Sequence, residues 1–288
     1  MALNRKTFFI TGVSSGFGHA FSRRFLAAGH TVVGTLRRPE DAAGFEGLAE
    51  GTSGRAVSRL LDVTEDDAVL ATVADVEHAV GPIDVVIANA GYGHEGVFEE
   101  SPMRELRRQF DVNVFGAVAT LKAALPFMRE RRRGHLMAVT SMAGLMTVPG
   151  LTYYHGSKYA LEGVMDSLAK EVRELGIRVT AIAPGSFRTD WAGRSMVRTD
   201  RTIPDYDTVM NPQREHRLAA NGKQLGDPDK AAEAVLTVID SPEPPVHLVL
   251  GSDALRLITG GRKALDEEIA RWADLSRSTD FADGMQIR

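Results

Sequence analysis

The sequence predicts an α/β fold, doubly wound around a central parallel sheet of about seven strands, and three observations carry that expectation. Short apolar, β-rich runs alternate with longer helical patterns from Thr7 to Leu250. The first run leads directly into glycines at 12, 16 and 18 and then into a helical pattern, the order in which backbone amides and a helix N-terminus can hold a phosphate. No Pro-, Gly- or Ser-rich linker interrupts the alternation, so the 288 residues read as a single domain with helices on both faces of the sheet.

Each element has a local reason. Thr7 to Thr11 has the length and apolar content of a buried strand; Ala20, Phe21, Phe25 and Leu26 then recur at helical spacing up to Gly29, a residue suited to a C-terminal cap. His30 to Leu36 is the second strand and Arg55 to Asp62 the third, with a helix over Glu65 to Val80 and a strand over Ile83 to Ala88. Ser101 and Pro102 read as N-cap and first position of a helix reaching about Arg131, with Asn113, Gly116 and Pro126 inside it. His135 to Thr140 is a strand running into Ser141, Tyr154 to Leu175 a helix capped by Gly176, and Ile177 to Ala183 a strand closed by Pro184 and Gly185. From 186 to 226 the alternation stops, leaving Trp191, Met196, Met210, two prolines and many arginines, with short helical pieces expected near Asp190 to Val197 and Pro212 to Ala220. An irregular stretch of this length in a compact domain is expected to be a lid or binding loop. Asp227 and Pro228 open a helix to about Asp240, Val246 to Leu250 is the last strand, Asp253 to about Ser276 the last helix, and the final dozen residues read as a polar tail.

Composition removes several function classes. A net charge of -4 gives no general attraction to nucleic acid or to an anionic membrane. Without cysteine there is no disulfide framework and no thiolate chemistry, which fits a reducing cytoplasm. The residues before Thr7 form neither a signal peptide nor a membrane span. His94, His135, His155 and His247 are scattered without metal-ligand spacing, so no metal site is expected. The arginines of 129 to 133 fall at a helix C-terminus, where positive charge is favoured, and read as a solvated helix end.

The chemistry centres on Tyr154 and Lys158, four residues apart and therefore on one face of a helix. A free phenol ionises near pH ~10, and a tyrosine acting as acid or base near neutrality needs that lowered by about 2 to 3 units. An ammonium at about 4 Å, in an effective dielectric of about 20, supplies on the order of 4 kcal/mol, so Lys158 is expected to provide much of the shift. Tyr153 is no substitute, since four residues on it would face Ser157. The spacing alone recurs in many helices, and other residues have to support it.

They do so together. Thr11-Gly12-Val13-Ser14-Ser15-Gly16-Phe17-Gly18, Asp62-Val63, Asn89-Ala90-Gly91, Asn113, Ser141, Tyr154 with Lys158, and Pro184-Gly185 stand in the order and at about the spacing of the short-chain dehydrogenase/reductase family. The resemblance is close over residues 5 to 190 and looser in the last strand and helix. It implies a Rossmann fold in which residues 1–110 mainly bind a nicotinamide dinucleotide and residues 111–288 carry catalysis and the lid. It implies that Tyr154 exchanges a proton with the substrate oxygen while hydride moves to or from the nicotinamide, that Lys158 holds the nicotinamide ribose and lowers the tyrosine pKa, that Ser141 binds the substrate oxygen, and that Asn113 holds a water in a proton relay. Gly12, Ser14, Ser15, Gly16, Phe17 and Gly18 would surround the pyrophosphate. Asp62 and Val63 would flank the adenine, Asn89, Ala90 and Gly91 would border the adenosine ribose and nearby backbone, Pro184 and Gly185 would belong to the cofactor site, and Thr189 would contact the carboxamide or the phosphates.

The second strand ends in Thr35-Leu36-Arg37-Arg38, without the carboxylate that would accept hydrogen bonds from a ribose bearing two hydroxyls. A guanidinium there binds a 2'-phosphate, so NADP is preferred over NAD, with Arg37 as the contact and Ser15 as a helper. The expected reaction interconverts an alcohol with its ketone or aldehyde, on a hydrophobic small molecule, in a homodimer or homotetramer. Tyr92, His94, Leu145, Met146 and Trp191 are candidates either for the substrate pocket or for ordinary packing. The rival expectation is a non-catalytic NADP(H)-binding regulator on the same fold.

Overall fold

The computed structural model describes residues 5–281 and Gly284; the reading of the first four residues and much of the polar tail lie outside them. The first half contains β1 (Thr7–Thr11), α1 (Gly16–Ala27), β2 (Thr31–Leu36), α2 (Ala42–Glu46), β3 (Arg55–Leu60), α3 (Asp66–Ala79) and β4 (Val85–Ala88). The second contains β5 (Gly93–Glu95), α4 (Met103–Phe110), α5 (Ala117–Arg131), β6 (Gly134–Val139), α6 (Thr152–Val172), β7 (Ile177–Pro184), β8 (Met196–Arg198), α7 (Asp207–Ala220), α8 (Pro228–Asp240), β9 (His247–Leu250) and α9 (Ser252–Arg277).

Seven strands form one parallel sheet in the order β3-β2-β1-β4-β6-β7-β9. Alternate residues of each strand serve opposite faces. Phe8 and Ile10 pack with Phe21 and Phe25 of α1 and Val235 of α8. Phe9 goes to the other side, with Val69 and Val73 of α3, Leu121 and Ala124 of α5, and Leu161 and Met165 of α6. Both faces are covered, which is why the inner strands such as β1, β4 and β6 read as mainly apolar runs, while the edge strand β3 carries Arg55, Ser58 and Arg59. The strand order reverses between β1 and β4, opening a crevice at their carboxyl ends, and there the glycine turn and Asn89-Ala90-Gly91 meet.

Helix ends follow the local signals in most places. Asp227 caps α8 by accepting from the Asp229 amide at 2.9 Å, with Pro228 in the first turn, and Gly176 ends the turn after α6 with φ +72°. Ser101 departs from expectation. Pro102 is the N-cap residue, and the Ser101 hydroxyl is buried without a partner. The long helix is not uniform either: α4 and α5 are joined by a π-turn over Asp111–Gly116 that carries Asn113. Gly116 is confined there, because a Cβ would stand 2.7 Å from a methyl of Val63. Within Met103–Arg131, an 18-residue window is apolar enough to resemble a membrane span, but Val114, Leu121, Ala124 and Met128 turn that face into the body.

The lid region contains more structure than its sequence suggested. The helical piece expected near Asp190 to Val197 is a 3-10 turn, Asp190–Ala192, followed by the strand β8, which pairs with β5 in a separate parallel ribbon. The piece expected at Pro212 starts earlier, as α7, with Pro212 within its second turn. At the other end, α9 lies on Met146 through Ala254 and Ile258, and then carries Leu265, Ile269, Trp272 and Leu275 out into solvent.

Candidate active site

Tyr154 and Lys158 are buried in the first two turns of α6. Lys158 Nζ donates to the carbonyl of Val139 at 2.9 Å, at the end of β6, and lies 5.8 Å from the Tyr154 ring centroid. Ser141 leaves β6 in an extended conformation and caps the turn Met142–Gly144, its Oγ accepting from the Ala143 amide at 3.1 Å. The hydroxyl proton stays free to donate to another oxygen. His155 clasps this turn: its Nε2 accepts from the Val148 amide at 3.0 Å while Nδ1 donates to the Ala143 carbonyl at 2.8 Å. That arrangement requires the neutral ring, and burial lowers the His155 pKa accordingly. Sequence reading grouped His155 with the scattered histidines; its place beside Tyr154 was the available signal.

Asn113 is fully engaged. Its Oδ1 accepts from the Tyr92 amide at 3.0 Å, and Nδ2 donates to the Tyr92 carbonyl at 3.0 Å and to Ser157 Oγ at 3.2 Å. The side chain thereby fixes the Gly91-Tyr92 loop over the site. A Cβ at Gly91 would lie 3.1 Å from Asn113 Oδ1 and 3.7 Å from Lys158 Nζ, so the loop passes close to both.

The electrostatics differ from the expectation for the isolated pair. Burial pushes the Tyr154 phenol up to about 12, opposed by the Ser141 hydroxyl and the Trp191 indole. Burial also pulls Lys158 down to about 8, with Glu162 acting against it. The lowering assigned to Lys158 is therefore not made by the chain alone, because the ammonium is directed to Val139. The groups that favour the phenolate are Ser141 and Trp191, and the second was expected as a pocket wall or as ordinary packing.

At the end of β1 the chain turns through Gly12, φ +72°, and Gly16, φ +56°. Asn89 Nδ2 donates to the carbonyls of Thr11 and Gly12, both at 2.9 Å, and Thr11 Oγ1 accepts from the amides of Asn89 and Ala90 at 2.9 and 3.0 Å. Asn89 and Ala90 thus brace the turn from beneath. A Cβ on Gly18 would stand 2.3 Å from the Gly12 carbonyl oxygen. Ser14 is exposed, Ser15 is the N-cap of α1 without a side-chain cap bond, and no acidic residue occupies the first turn. Phe17 packs on Phe187 at 5.1 Å.

At the end of β2, Arg38 is held by Asp41 through bonds of 2.9 and 3.0 Å. Arg37 is exposed and makes no hydrogen bond or ion pair among the described residues, while its charge helps lower the pKa of Asp62. The main cause of that lowering is the Thr64 amide, which donates to Asp62 Oδ1 at 3.0 Å, with the Thr64 hydroxyl adding a bond of 2.8 Å. Val63 is buried under Gly116. Pro184 ends β7; Gly185 follows against Asp253, whose Oδ2 accepts from the Ser186 amide at 2.8 Å. Thr189 caps the 3-10 turn that carries Trp191, its Oγ1 accepting from the Trp191 amide at 3.4 Å. An unguarded helix N-terminus and a turn that admits no side chain at Gly18 fit the pyrophosphate of a dinucleotide.

Ala143, Leu151 and Met196, with Val148 and Trp191, surround Tyr154 in an apolar cluster. The other pocket candidates divide differently. Leu145 and Met146 pack toward α9, and His94 bonds Thr199 Oγ1 at 2.9 Å and stacks on Tyr153 at 5.1 Å. Tyr92 lies under the Arg108 guanidinium, 5.9 Å from its ring centroid, with its hydroxyl buried and unpartnered. The segment 186–226 is fastened by two buried carboxylates. Glu95, 3 % exposed, faces Arg217 at 2.8 Å, Arg214 at 3.6 Å and Arg198 at 3.8 Å. Glu100 accepts from the Ile203 amide and from Arg201, both at 2.7 Å.

Comparison with known proteins points to a single family. The family model for short chain dehydrogenases matches residues 6–198. The oxidoreductase BOA17 of Botryotinia fuckeliana is 35 % identical over 271 residues, covering 94 % of this chain and 98 % of that protein. A 3-ketodihydrosphingosine reductase of Bacteroides thetaiotaomicron is 30 % identical over 265 residues, covering 92 % of this chain and 94 % of that protein. The crystal structure of a short-chain dehydrogenase from Streptomyces avermitilis, 36 % identical, superposes with a TM-score of 0.89 over 97 % of this chain and 100 % of that one.

Proposed function

This chain belongs to the short-chain dehydrogenase/reductase family, and from that premise we propose that it interconverts an alcohol and its ketone or aldehyde with NADP(H). The observation that carries the reading is the convergence of Ser141, Tyr154 and Lys158 at the carboxyl edge of the sheet, beside the braced glycine turn. When bound, the nicotinamide supplies or accepts the hydride at the substrate carbon. The protein's own residues manage the oxygen and the proton. In carbonyl reduction the Ser141 hydroxyl donates to the substrate oxygen, and the Tyr154 O–H bond breaks as the new alcohol O–H bond forms. Burial keeps the phenol protonated beforehand, as a proton donor requires. Lys158 would hold the nicotinamide ribose, and its charge would favour the developing phenolate. Asn113 holds the loop above this group, in line with the relay role that the family resemblance implies.

For the dinucleotide, Gly12, Ser14, Ser15, Gly16, Phe17 and Gly18 would line the pyrophosphate, with Asp62, Val63, Asn89, Ala90 and Gly91 along the adenosine and Pro184, Gly185 and Thr189 at the nicotinamide end. The preference for NADP rests on Arg37, since Arg38 is already taken by Asp41. The substrate is an apolar carbonyl or alcohol, in keeping with Leu151, Val148, Met196 and Trp191 around the phenol. The reductase of Bacteroides thetaiotaomicron, named for a sphingoid ketone, suggests long-chain ketones as the first to assay. A homodimer through α5 and α6 fits the open groove of about 490 Å³ between them, lined by Val118, Leu125, Ala160, Gly163, Val164 and Leu168. Cytoplasmic residence fits the absence of cysteine.

The test is Tyr154→Phe, followed by nicotinamide absorbance over a panel of ketones, aldehydes and alcohols. Turnover is expected to fall by about 10³-fold with NADPH affinity nearly unchanged. Retained turnover in the variant sinks the proton role of Tyr154. Wild-type protein that binds NADPH without turning over any member of the panel supports the regulatory alternative instead.

A further inference from the structure

The lid lays Trp191 directly against the phenol. The two ring centroids are 5.1 Å apart with planes tilted by 51°, and Met196, Leu151 and Val148 complete the cluster. The indole also covers Gly93, where a Cβ would stand 2.9 Å from Cζ2, so the ring is fixed by contacts on several sides. Its Nε1–H is sealed from solvent and reaches no acceptor at full hydrogen-bond geometry. An indole nitrogen can only donate, and a buried donor left unmade is costly. The Tyr154 oxygen is close enough that the indole already favours its ionised form. Bonds of this kind are often long in an empty site and tighten in the complex.

We propose that Trp191 is a positioning residue for the proton step, its Nε1–H donating to the Tyr154 oxygen and stabilising the phenolate left when that oxygen gives up its proton. The inference rests on the proton role proposed above. It divides the work between two donors: with substrate in place the Ser141 hydroxyl turns to the substrate oxygen, and the indole remains on the tyrosine. Trp191 follows directly on Thr189 and Asp190 in the lid, so the same contact ties the proton step to the seating of residues 186–226.

Two measurements test it. Trp191 and Trp272 are the chain's two tryptophans, and Trp272 is 60 % exposed on α9, so a Trp272→Phe protein shows a single indole N–H resonance in a proton–nitrogen correlation spectrum. Adding Tyr154→Phe keeps the ring and removes the acceptor; the resonance is expected to move upfield, and an unmoved resonance overturns the contact whether or not a substrate is known. The second measurement is the pH profile of kcat/KM for alcohol oxidation. Trp191→Phe keeps the packing and loses the N–H, so the apparent pKa should rise by about one unit, with about tenfold loss below it and convergence with wild type above it. A loss equal at every pH marks a packing role and overturns the proposal. Failure of the wild-type enzyme on every alcohol and carbonyl would count against the proposed reaction, and the resonance experiment would still decide the contact.

Discussion

The glycine turn and the lid are held by opposite means. The turn is fixed by uncharged hydrogen bonds: the Thr11 hydroxyl and the Asn89 side-chain amide bond the backbone of Thr11, Gly12, Asn89 and Ala90 across the junction of β1 and β4, and Gly18 leaves no room for a side chain. The lid is fixed by charge, with Glu95 and Glu100 gripping arginines that lie about a hundred residues further along the chain. A site built from backbone amides can receive the same dinucleotide whatever the substrate. A cover held by a few ion pairs can be altered without disturbing that site.

The largest separation of the two regions should come from Glu95→Ala. Removing one side of a buried ion pair costs about 3 to 5 kcal/mol, and here it leaves three arginines facing one another. Residues 186–226 should become readily cleaved in limited proteolysis, with substrate KM raised and NADPH affinity unchanged; a resistant lid would refute the role of Glu95. Asn89→Ala should give the reverse pattern. Loss of its two bonds to the turn costs about 2 kcal/mol, read as roughly thirtyfold weaker NADPH binding by titration calorimetry with the lid still resistant.

Arg37→Glu addresses the turn's selectivity without touching its frame. A charge-assisted bond to a phosphate is worth about 1.5 to 3 kcal/mol, so the ratio of kcat/KM for NADPH over NADH should drop at least tenfold; an unchanged ratio would place the contact elsewhere. The smallest effect is one of pH. Burial would raise the Glu100 carboxyl, but the Thr202 and Ile203 amides and Arg201 outweigh it and hold the pKa at about 2. A folded-state pKa below the ordinary glutamate value of about 4.3 means that the anchor is complete above that pH and is lost as pH falls toward the folded value. In the Trp272→Phe protein, Trp191 emission should therefore change in this acid window in wild-type lids and not in Glu100→Gln.

Much of the fold was legible because its signals are local. The seven strands of the sheet lie where short β-rich runs stand in the sequence, and the caps at Gly29, Gly176 and Asp227 lie where the residue types put them. The Tyr154 and Lys158 spacing, Ser141 at a strand end and the glycines were likewise visible. Strand β8 was not, since three residues become a strand only by pairing with β5. Neither was the clasp made by His155, which depends on where the loop Ala143 to Val148 folds back.

The chain by itself therefore determined the doubly wound sheet, the turn at its crevice and the candidates for the reacting groups, because helix and strand periods, glycine conformations and capping act over a few residues. Only the tertiary structure decided the state of those groups. It buried Tyr154 and Lys158, which shifts both pKa values toward the uncharged form, directed the ammonium to Val139, and brought Trp191 across the fold to the phenol. Desolvation and hydrogen bonding depend on what surrounds an atom in space, and spacing along a sequence does not record it.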